Sequence, residues 1–438
     1  MKNARKLVVK LLTRMDVNNS YSNLLLSDAL DKSELSNQDK KFASALFYGV
    51  IERKYTLDQI IRKLSAIKSH KLNPEVRNII RIALYQLLYM DAVPDNAAVD
   101  ESVKLVKQTR NPTCSGYVNA ILREFIRSGK KLPVKNCRTE QLAVDYSCPP
   151  WLVSKWFSEY KDNICYDMLR SSLGKAPISV RVNTVHATFN DTLKMLDDEG
   201  IRYDIIKVLP DCLNLHMSGS VENTNAYRSG RLHVQDISSQ FCAAALEAKE
   251  NDIVLDMCAA PGGKTFTIAE HMKDKGTIYA FDLHENRVKL IKDGAKRLGL
   301  KCIKARTNDG KEYSTDMPKA DRVLCDVPCS GLGVIRRKPE IKYKDPADFE
   351  RLPEIQYKIL DNSASYVKRN GILVYSTCTL SRAENDEVVD KFLQFHPEYV
   401  SCKLGEFFGY DKNKTRVTIT PGVFNSDGFF IAKFRRIR

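Results

Sequence analysis

The spacing of apolar residues changes along the chain and divides its 438 residues into three regions. Up to about residue 128, apolar residues recur at every third or fourth position, which predicts one helix after another. The predicted helices are Leu7–Met15, Phe42–Ile51, Leu57–Leu64, Val76–Tyr89, Val99–Val106 and Tyr117–Ile126. We expect an all-α helical bundle over residues 1–138, ending in the linker GKKLPVKNCR at 129–138.

The middle region, residues 139–233, mixes helical and strand patterns. It predicts a helix at Trp151–Tyr160, a strand in PISVRVNT at 177–184 and a second helix at Thr188–Glu199. The region contains no catalytic motif of its own. We interpret it as a small α+β domain that precedes the catalytic domain.

From residue 234 onward, short apolar runs alternate with helical patterns. The predicted strands are IVLDMC, TIYAFD, CIKAR, RVLCDVP, ILVYST and FFIAKF. Four helices are predicted between these strands. One begins at Lys264, and the other three span Glu285–Leu298, Ile355–Lys368 and Arg382–Phe395. Strands that repeatedly feed helices form a largely parallel sheet covered on both faces. Residues 234–438 therefore predict a Rossmann-like α/β domain that binds its ligands at the carboxyl ends of the strands.

Charge and cysteine content narrow the function classes. The net charge is +15, and residues 1–138 hold 25 Lys and Arg against 13 Asp and Glu, so a polyanion such as nucleic acid is the expected partner. No apolar run approaches the ~18 residues of a membrane helix, so no membrane association is expected. The 12 scattered cysteines indicate reduced thiols in the cytoplasm. The start, MKNARKLVVKLLTRM, is interpreted as the first helix, with an organellar transit peptide as the alternative.

The glycine loop DMCAAPGGKT at 256–265 allows two interpretations. Gly263-Lys264-Thr265 matches the second half of a phosphate-binding P-loop, but Cys258 stands where the first glycine is required and Pro261 lacks an amide. The alternative is an adenosine ligand without a phosphate cradle. In that case Asp282, at the end of the next strand, would accept the ribose hydroxyls. Asp309, in the NDG after the third strand, would contact adenine or only form an Asx turn.

Two cysteines follow neighbouring strands, Cys329 in DVPCSGLG and Cys378 in YSTCTLSRAEN. Strand ends of a parallel sheet lie at one edge, so both thiols are expected near the glycine loop and near Asp326. Methylation at C5 of cytosine requires such a set, because a thiolate must add to C6 while an acid donates to N3. Asp326 is the acid we select. A zinc site at Cys325 and Cys329 is disfavoured because no second pair stands at ligand spacing, and no metal is expected.

These motifs, together with FDLHENR and the closing TPGVFNSDGFFIAKF, resemble those of the RNA cytosine-C5 methyltransferases of the Fmu/Sun (RsmB) type. The front bundle is similar to the NusB-like RNA-binding domain of bacterial members. The resemblance implies a seven-stranded methyltransferase domain that uses S-adenosyl-L-methionine. It also implies that Cys378 is the nucleophile and that Cys329 assists breakdown of the covalent intermediate.

The resemblance further implies which residues contact the cofactor. They are Cys258, Ala259, Ala260, Pro261, Gly262, Gly263, Lys264, Asp282, Asp309 and Asp326. Lys264 is also a candidate for facing the base. Asn183, in RVNT, either contacts substrate or caps the helix that begins at 188.

The expected function is methylation of a cytosine C5 in 16S rRNA by a monomeric enzyme that does not act on DNA. Three alternatives remain open from the sequence. The substrate could be tRNA or 23S rRNA, the chain could be a non-enzymatic antitermination-like RNA-binding factor, or it could be a degenerate P-loop NTPase.

Overall fold

A computed structural model describes residues 3–18, 22–65, 72–217, 219–405 and 413–438. The chain forms two compact units. One consists of Met1–Gly174 together with Ile335–Lys344, and the other of Lys175–Val334 and Asp345–Arg438. Among the described helices, none is both long and apolar enough to cross a bilayer.

The first unit is helical, as the apolar spacing predicts. Its helices are α1 Ala4–Asn18, α2 Ser22–Asp31, α3 Asn37–Leu64, α4 Pro74–Tyr89, α5 Asp95–Lys107, α6 Ser115–Arg127, α7 Arg138–Asp145, α8 Pro150–Glu159 and α9 Asp162–Ser171. The predicted helices Phe42–Ile51 and Leu57–Leu64 are one continuous helix, α3, because the polar residues between them include no breaker. Aliphatic residues such as Leu46, Ile80 and Val106 fill the core.

A ten-residue segment of the predicted α/β domain, residues 335–344, packs within this helical unit. Ile335–Lys344 follows the Cys329 motif directly. The fully buried Lys342 Nζ donates to the carbonyl oxygens of Glu52 at 2.9 Å and Ser147 at 2.8 Å. Burial lowers the pKa of Lys342 to about 8. The sequence pattern gave no sign of this arrangement, because contacts with residues almost 200 or more positions earlier create it.

The second unit begins with a small antiparallel sheet in the order β2-β3-β1-β4. Its strands are β1 Ile178–Val182, β2 Arg202–Ile205, β3 Cys212–His216 and β4 Leu232–Val234, and its helices are α10 Phe189–Asp198 and α11 Asn225–Arg228. Thr188 and Asp191 form a capping box at the start of α10. Strand β1 and helix α10 lie where the sequence predicts a strand and a helix, and the α+β character of the region is confirmed.

The large sheet has the strand order β10-β12-β9-β8-β5-β6-β7, and β11 also pairs with β12. Its strands are β5 Ile253–Asp256, β6 Thr277–Asp282, β7 Ile303–Thr307, β8 Ala320–Asp326, β9 Val367–Thr377, β10 Tyr399–Ser401, β11 Arg416–Ile419 and β12 Phe429–Arg436. The helices of this part are α12 Ile237–Ala245, α13 Gly263–His271, α14 Glu285–Leu298, α15 Leu352–Ala364 and α16 Asp386–Phe395. Strands β5 to β9 pair in parallel and β12 runs antiparallel, which confirms the Rossmann-like prediction.

Two predicted helices differ in their bounds. The helix predicted to reach Lys368 ends at Ala364, because Tyr366 and Val367 are buried and Val367 begins β9. The helix predicted from Arg382 starts as a short 3₁₀ turn at Arg382–Glu384. It breaks at Asn385 before continuing as α16.

Candidate active site

The carboxyl ends of the parallel strands bring the predicted residues to one edge of the sheet. Asp256 ends β5, Asp282 ends β6 and Asp326 ends β8. In the strand pairing Asp326 lies opposite Ser376, two residues before Cys378. Every one of these residues belongs to the second compact unit.

The glycine loop turns sharply from β5 into α13. Gly262 has φ 114°, and a side chain there would collide with the Phe266 ring, so glycine is required. The Ala259 amide donates to Phe281 O at 2.7 Å, and the Gly262 amide donates to Ala259 O at 2.8 Å. These two amides are therefore already used within the protein and Pro261 has none, so the loop has fewer free amides than a P-loop.

A buried carboxyl group lies at the base of this loop. Asp256 is 1% exposed, its Oδ2 accepts from Thr265 Oγ1 at 2.7 Å, and none of the residues that the structure describes forms a hydrogen bond with its Oδ1. Burial raises the pKa of Asp256 from 3.8 to about 7, and the Thr265 hydroxyl offsets only part of this effect.

Asp282 is held by groups on the following turn. Its Oδ1 accepts from the His284 amide at 3.2 Å, and Arg287 Nη1 lies 3.3 Å from its Oδ2. Arg287 Nη2 also donates to Ala260 O at 2.8 Å, so one guanidinium joins Asp282 to the glycine loop. The sequence interpretation missed Arg287, although its place in the first turn of the helix after Asp282 was a usable signal.

Asp309 forms the Asx turn that the sequence left open. Its Oδ1 accepts from the Lys311 amide at 3.0 Å, and Lys311 Nζ lies 3.3 Å from its Oδ2. The neighbouring Gly310 lies against Cys258, since a Cβ built on Gly310 would be 3.8 Å from the Cys258 sulfur. The turn is thus next to the glycine loop, and contact between Asp309 and adenine stays a prediction.

A lysine and a carboxylate form the charged centre of the site. Lys264 Nζ lies 2.7 Å from Asp326 Oδ2, and Ser376 Oγ donates to Asp326 Oδ1 at 2.7 Å. Burial lowers the pKa of Lys264, but the charge and hydrogen bond of Asp326, together with Cys242 and Cys378, raise it by more, so the pKa lies above its ordinary value. The Lys264 ammonium also lies 4.8 Å from the centre of the Phe429 ring. Ser376 was not predicted, because only strand pairing places it beside Asp326.

The two cysteines of the strand-end motifs are in contact. Cys329 Sγ and Cys378 Sγ are 3.1 Å apart, and both residues are partly buried. The hydrogen bond to Cys378, burial and the charge of Cys378 all raise the pKa of Cys329 well above its ordinary value. Cys378 also acts on Lys264, whose pKa it raises. The site therefore combines two thiols with an ammonium–carboxylate pair.

Asn183 connects backbone segments through hydrogen bonds of its side chain. It is 2% exposed, and its side-chain amide donates to Gly230 O and Leu298 O. Thr188, not Asn183, caps the helix that begins at Phe189. The prediction that Asn183 caps this helix is wrong, because its amide ties β1 to two other segments.

Three family models match successive parts of the chain. Residues 2–127 match the NusB family, residues 148–222 match the ferredoxin-like domain of RsmF/B-like methyltransferases, and residues 243–435 match 16S rRNA methyltransferase RsmB/F.

Full-length proteins are similar as well. The chain is 38% identical over 441 residues to the probable ribosomal RNA small subunit methyltransferase B of Bacillus subtilis, covering 99% of this chain and 98% of the relative. It is 32% identical to ribosomal RNA small subunit methyltransferase B of Escherichia fergusonii, covering 92% of each. The crystal structure of PH0851 superposes with a TM-score of 0.83 at 25% identity, covering 100% of this chain and 99% of that one. The resemblance seen in the motifs is confirmed, and the chain belongs to the RsmB/F family of 16S rRNA methyltransferases.

Proposed function

We propose that this protein transfers a methyl group from S-adenosylmethionine to C5 of a cytosine in 16S rRNA, through a transient bond between Cys378 Sγ and C6 of the base. The observation that carries the proposal is the contact of the two thiols, 3.1 Å apart, at strand ends beside Lys264 and Asp326. Addition to C6 is needed because C5 of cytosine is a poor nucleophile in the intact ring.

The thiol pair supports Cys378 as the attacking group. The contact with Cys378 and burial raise the pKa of Cys329, so when Cys378 attacks as the thiolate, the Cys329 sulfhydryl can donate a hydrogen bond to it. The Lys264 ammonium also interacts electrostatically with the same sulfur. Both effects stabilise negative charge on Cys378, and the thiolate is the reactive form.

The ammonium–carboxylate pair suits the developing charge on the base. N3 needs a hydrogen-bond donor while electrons move toward it from the attacked C6. Lys264 is the member of the pair that carries protons, and Asp326 with Ser376 holds it in place. We therefore assign the hydrogen bond to N3 to the Lys264–Asp326 pair rather than to Asp326 alone.

The steps on the base then balance. Cys378 Sγ bonds to C6, and the electrons of the C5–C6 double bond make C5 nucleophilic toward the methyl group. Bonding of Cys378 to carbon removes its charge and its hydrogen bond, the causes that most raise the pKa of Cys329 besides burial. Cys329 can then release its proton to solvent and take the C5 proton. The bond between Cys378 and C6 breaks as the double bond returns.

The residues around the glycine loop fit S-adenosylmethionine. The loop Cys258–Lys264 with Asp282, Asp309 and Asp326 would hold it, as proposed from the sequence. Two of the loop's amides donate within the protein and Pro261 has none, which suits a ligand whose recognised part carries no phosphate. When bound, this cofactor supplies a methyl group on a positively charged sulfur.

The choice of 16S rRNA is supported by the names of the relatives and by the basic helical unit. Residues 1–138 carry the main excess of Lys and Arg and overlap the match to the NusB family. A positive surface of this kind contributes affinity for RNA through counterion release. Extrusion of the target base costs a few kcal/mol, which such contacts can offset.

Methyl transfer from labelled S-adenosylmethionine to 16S rRNA, 23S rRNA and tRNA tests the proposal. We expect label in 5-methylcytidine from 16S rRNA, and none with Cys378→Ala. Cys402→Ala, at another partly buried cysteine of the same unit, is the matched control and should act as the unsubstituted protein does. Label on another base or atom, transfer to tRNA or 23S rRNA instead, or undiminished activity of Cys378→Ala would contradict the proposal.

A further inference from the structure

A buried carboxylate lies beneath the two cysteine loops, in a position that the steps above do not use. Glu384 is 2% exposed and ends the 3₁₀ turn Arg382–Glu384, six residues after Cys378. A carboxylate is rarely buried unless it is paired or fully hydrogen-bonded. The hydrogen-bond partners of Glu384 therefore indicate its role.

Three of the donors to the Glu384 carboxylate come from the residues next to each thiol. Its Oε1 accepts from Ser330 Oγ at 2.6 Å, and its Oε2 accepts from the Ser330 amide at 2.9 Å. Thr379 Oγ1 lies 3.4 Å from Oε1, and the hydroxyls of Ser330 and Thr379 are 2.6 Å apart. Because Ser330 follows Cys329 and Thr379 follows Cys378, a single carboxylate bridges both loops.

Two further groups fix this bridge. Gln356 Nε2 donates to Glu384 Oε2 at 2.9 Å and to Pro328 O at 3.0 Å, on the other side of Cys329. The buried Tyr375 hydroxyl donates to Glu384 O at 2.6 Å. The Cys329 loop is thus held before and after the thiol.

The charge of Glu384 also acts on Cys329. The donors that the described residues provide to this carboxylate are uncharged, so its negative charge has no cation beside it. The titratable groups that act on Cys329 are Cys378 and Glu384, and the Tyr375 hydroxyl lies beside them. After Cys378 and burial, Glu384 contributes to the raised pKa of Cys329.

We propose that Glu384 is a positioning residue of the reaction, which holds the two thiols in contact and places a negative charge beside Cys329. This inference rests on the function proposed above. While Cys378 is free, this charge adds to the effects of Cys378 and of burial, which disfavour the Cys329 thiolate. Once Cys378 is bonded to the base, the same charge makes the Cys329 thiolate a stronger base for the C5 proton.

The first test measures Cys329 without RNA. In a Cys378→Ala background, the rate at which iodoacetamide alkylates Cys329 is followed against pH by mass spectrometry of the Cys329 peptide. We expect Glu384→Gln to move the rise in rate about one pH unit lower, because a nearby like charge disfavours the thiolate. Glu384→Asp keeps the charge and should leave the rise in place. Glu387→Gln, which removes an exposed carboxylate three residues away, is the matched control.

The second test measures breakdown of the protein–RNA adduct. Glu384→Gln should still form the adduct but resolve it about tenfold more slowly at high pH, with the rise of the rate shifted to lower pH. Ser330→Ala keeps the charge and should slow resolution without that shift, which also covers the case that Glu384→Gln does not fold. An unshifted Cys329 profile in Glu384→Gln would overturn the inference. If the alkylation profile shifts but no protein–RNA adduct forms, the result would count against the proposed function and not against the role of Glu384.

Discussion

At the scale of residues, the two thiols act on each other's protons. The hydrogen bond to Cys378 and burial raise the pKa of Cys329, because a second thiolate beside the first is penalised. A sequence shows two cysteines after two strands but not this mutual effect, which depends on a distance of 3.1 Å. The family resemblance, rather than spacing, suggested which of them attacks.

Cys329, Cys378 and Asp326 could be predicted at one edge because parallel strands end together. The partners Ser376 and Glu384 could not be predicted, since each acts through a side-chain direction or through a contact set by tertiary packing. The Lys264–Asp326 pair joins residues 62 positions apart. Only the structure shows that Asp326 acts as part of a charged pair and not as a lone acid.

Asp256 predicts a measurable dependence of stability on pH. Its pKa is raised from 3.8 to about 7, so between these values the folded protein binds a proton that the unfolded chain does not. This contribution is fully present below about pH 4 and is lost as the pH rises through about 7, by up to about 1.4 kcal/mol per unit. Thermal unfolding of the protein and of Asp256→Asn from pH 5 to 8 should show the variant gaining relative stability as the pH rises. Parallel curves would contradict this expectation.

At the scale of elements, a contact between two glycines fixes the loop after Cys329. The Gly333 amide donates to Cys378 O at 3.0 Å, and the Gly428 amide donates to Gly333 O at 2.8 Å. A Cβ on Gly333 would lie 2.1 Å from Gly428 O and 2.8 Å from Cys378 O. The closing motif before β12 therefore packs directly on the loops that carry both thiols.

Gly333→Ala should consequently disturb catalysis and stability together. Overpacking of this kind costs about 1–3 kcal/mol, and the shift of the backbone would separate the two thiols. The thermal midpoint and the rate of a single methyl transfer are the measurements. Gly116→Ala, in helix α6 where a Cβ meets no atom within 4 Å, is the control and should lower neither, because alanine favours a helix over glycine. Equal behaviour of the two variants would refute the role of this contact.

Most helices and strands could be predicted, because the spacing of apolar residues along a long element matches the face that it buries. Strands β5, β6, β8 and β9 and the helices between them follow from the alternation of patterns. Short strands such as β10, with three residues, hold too few positions to show a period. The placement of Ile335–Lys344 in the helical unit depends on distant packing and gave no local signal.

At the scale of the whole molecule, the basic excess of residues 1–138 should control affinity for RNA. Lys6, Lys10 and Arg110 are exposed and line one groove of the helical unit at the start of α4. Clustered positive charge at a groove attracts phosphate groups regardless of sequence. The candidate active site lies in the second unit and the basic excess lies in the helical unit. Substitutions in the two units should therefore affect catalysis and RNA affinity separately.

Replacement of Lys6, Lys10 and Arg110 by Glu should weaken binding of 16S rRNA at least about tenfold. The slope of log K against log salt should fall by about two to three, since each lost phosphate contact removes ~0.7–0.9. Titrations between 50 and 200 mM salt measure both. The matched control replaces Lys289, Lys292 and Lys296, which are exposed on α14, with Glu. A larger loss in the control would place RNA binding elsewhere.

The most direct measurement is the capture of the covalent complex in two single variants. Each is incubated with 16S rRNA and S-adenosylmethionine, denatured, and examined by gel electrophoresis for protein attached to RNA. Cys329→Ala should accumulate the adduct, because Cys378 still attacks while the C5 proton stays in place, and Cys378→Ala should form none. Adduct with Cys378→Ala and none with Cys329→Ala would contradict the assignment of the two thiols.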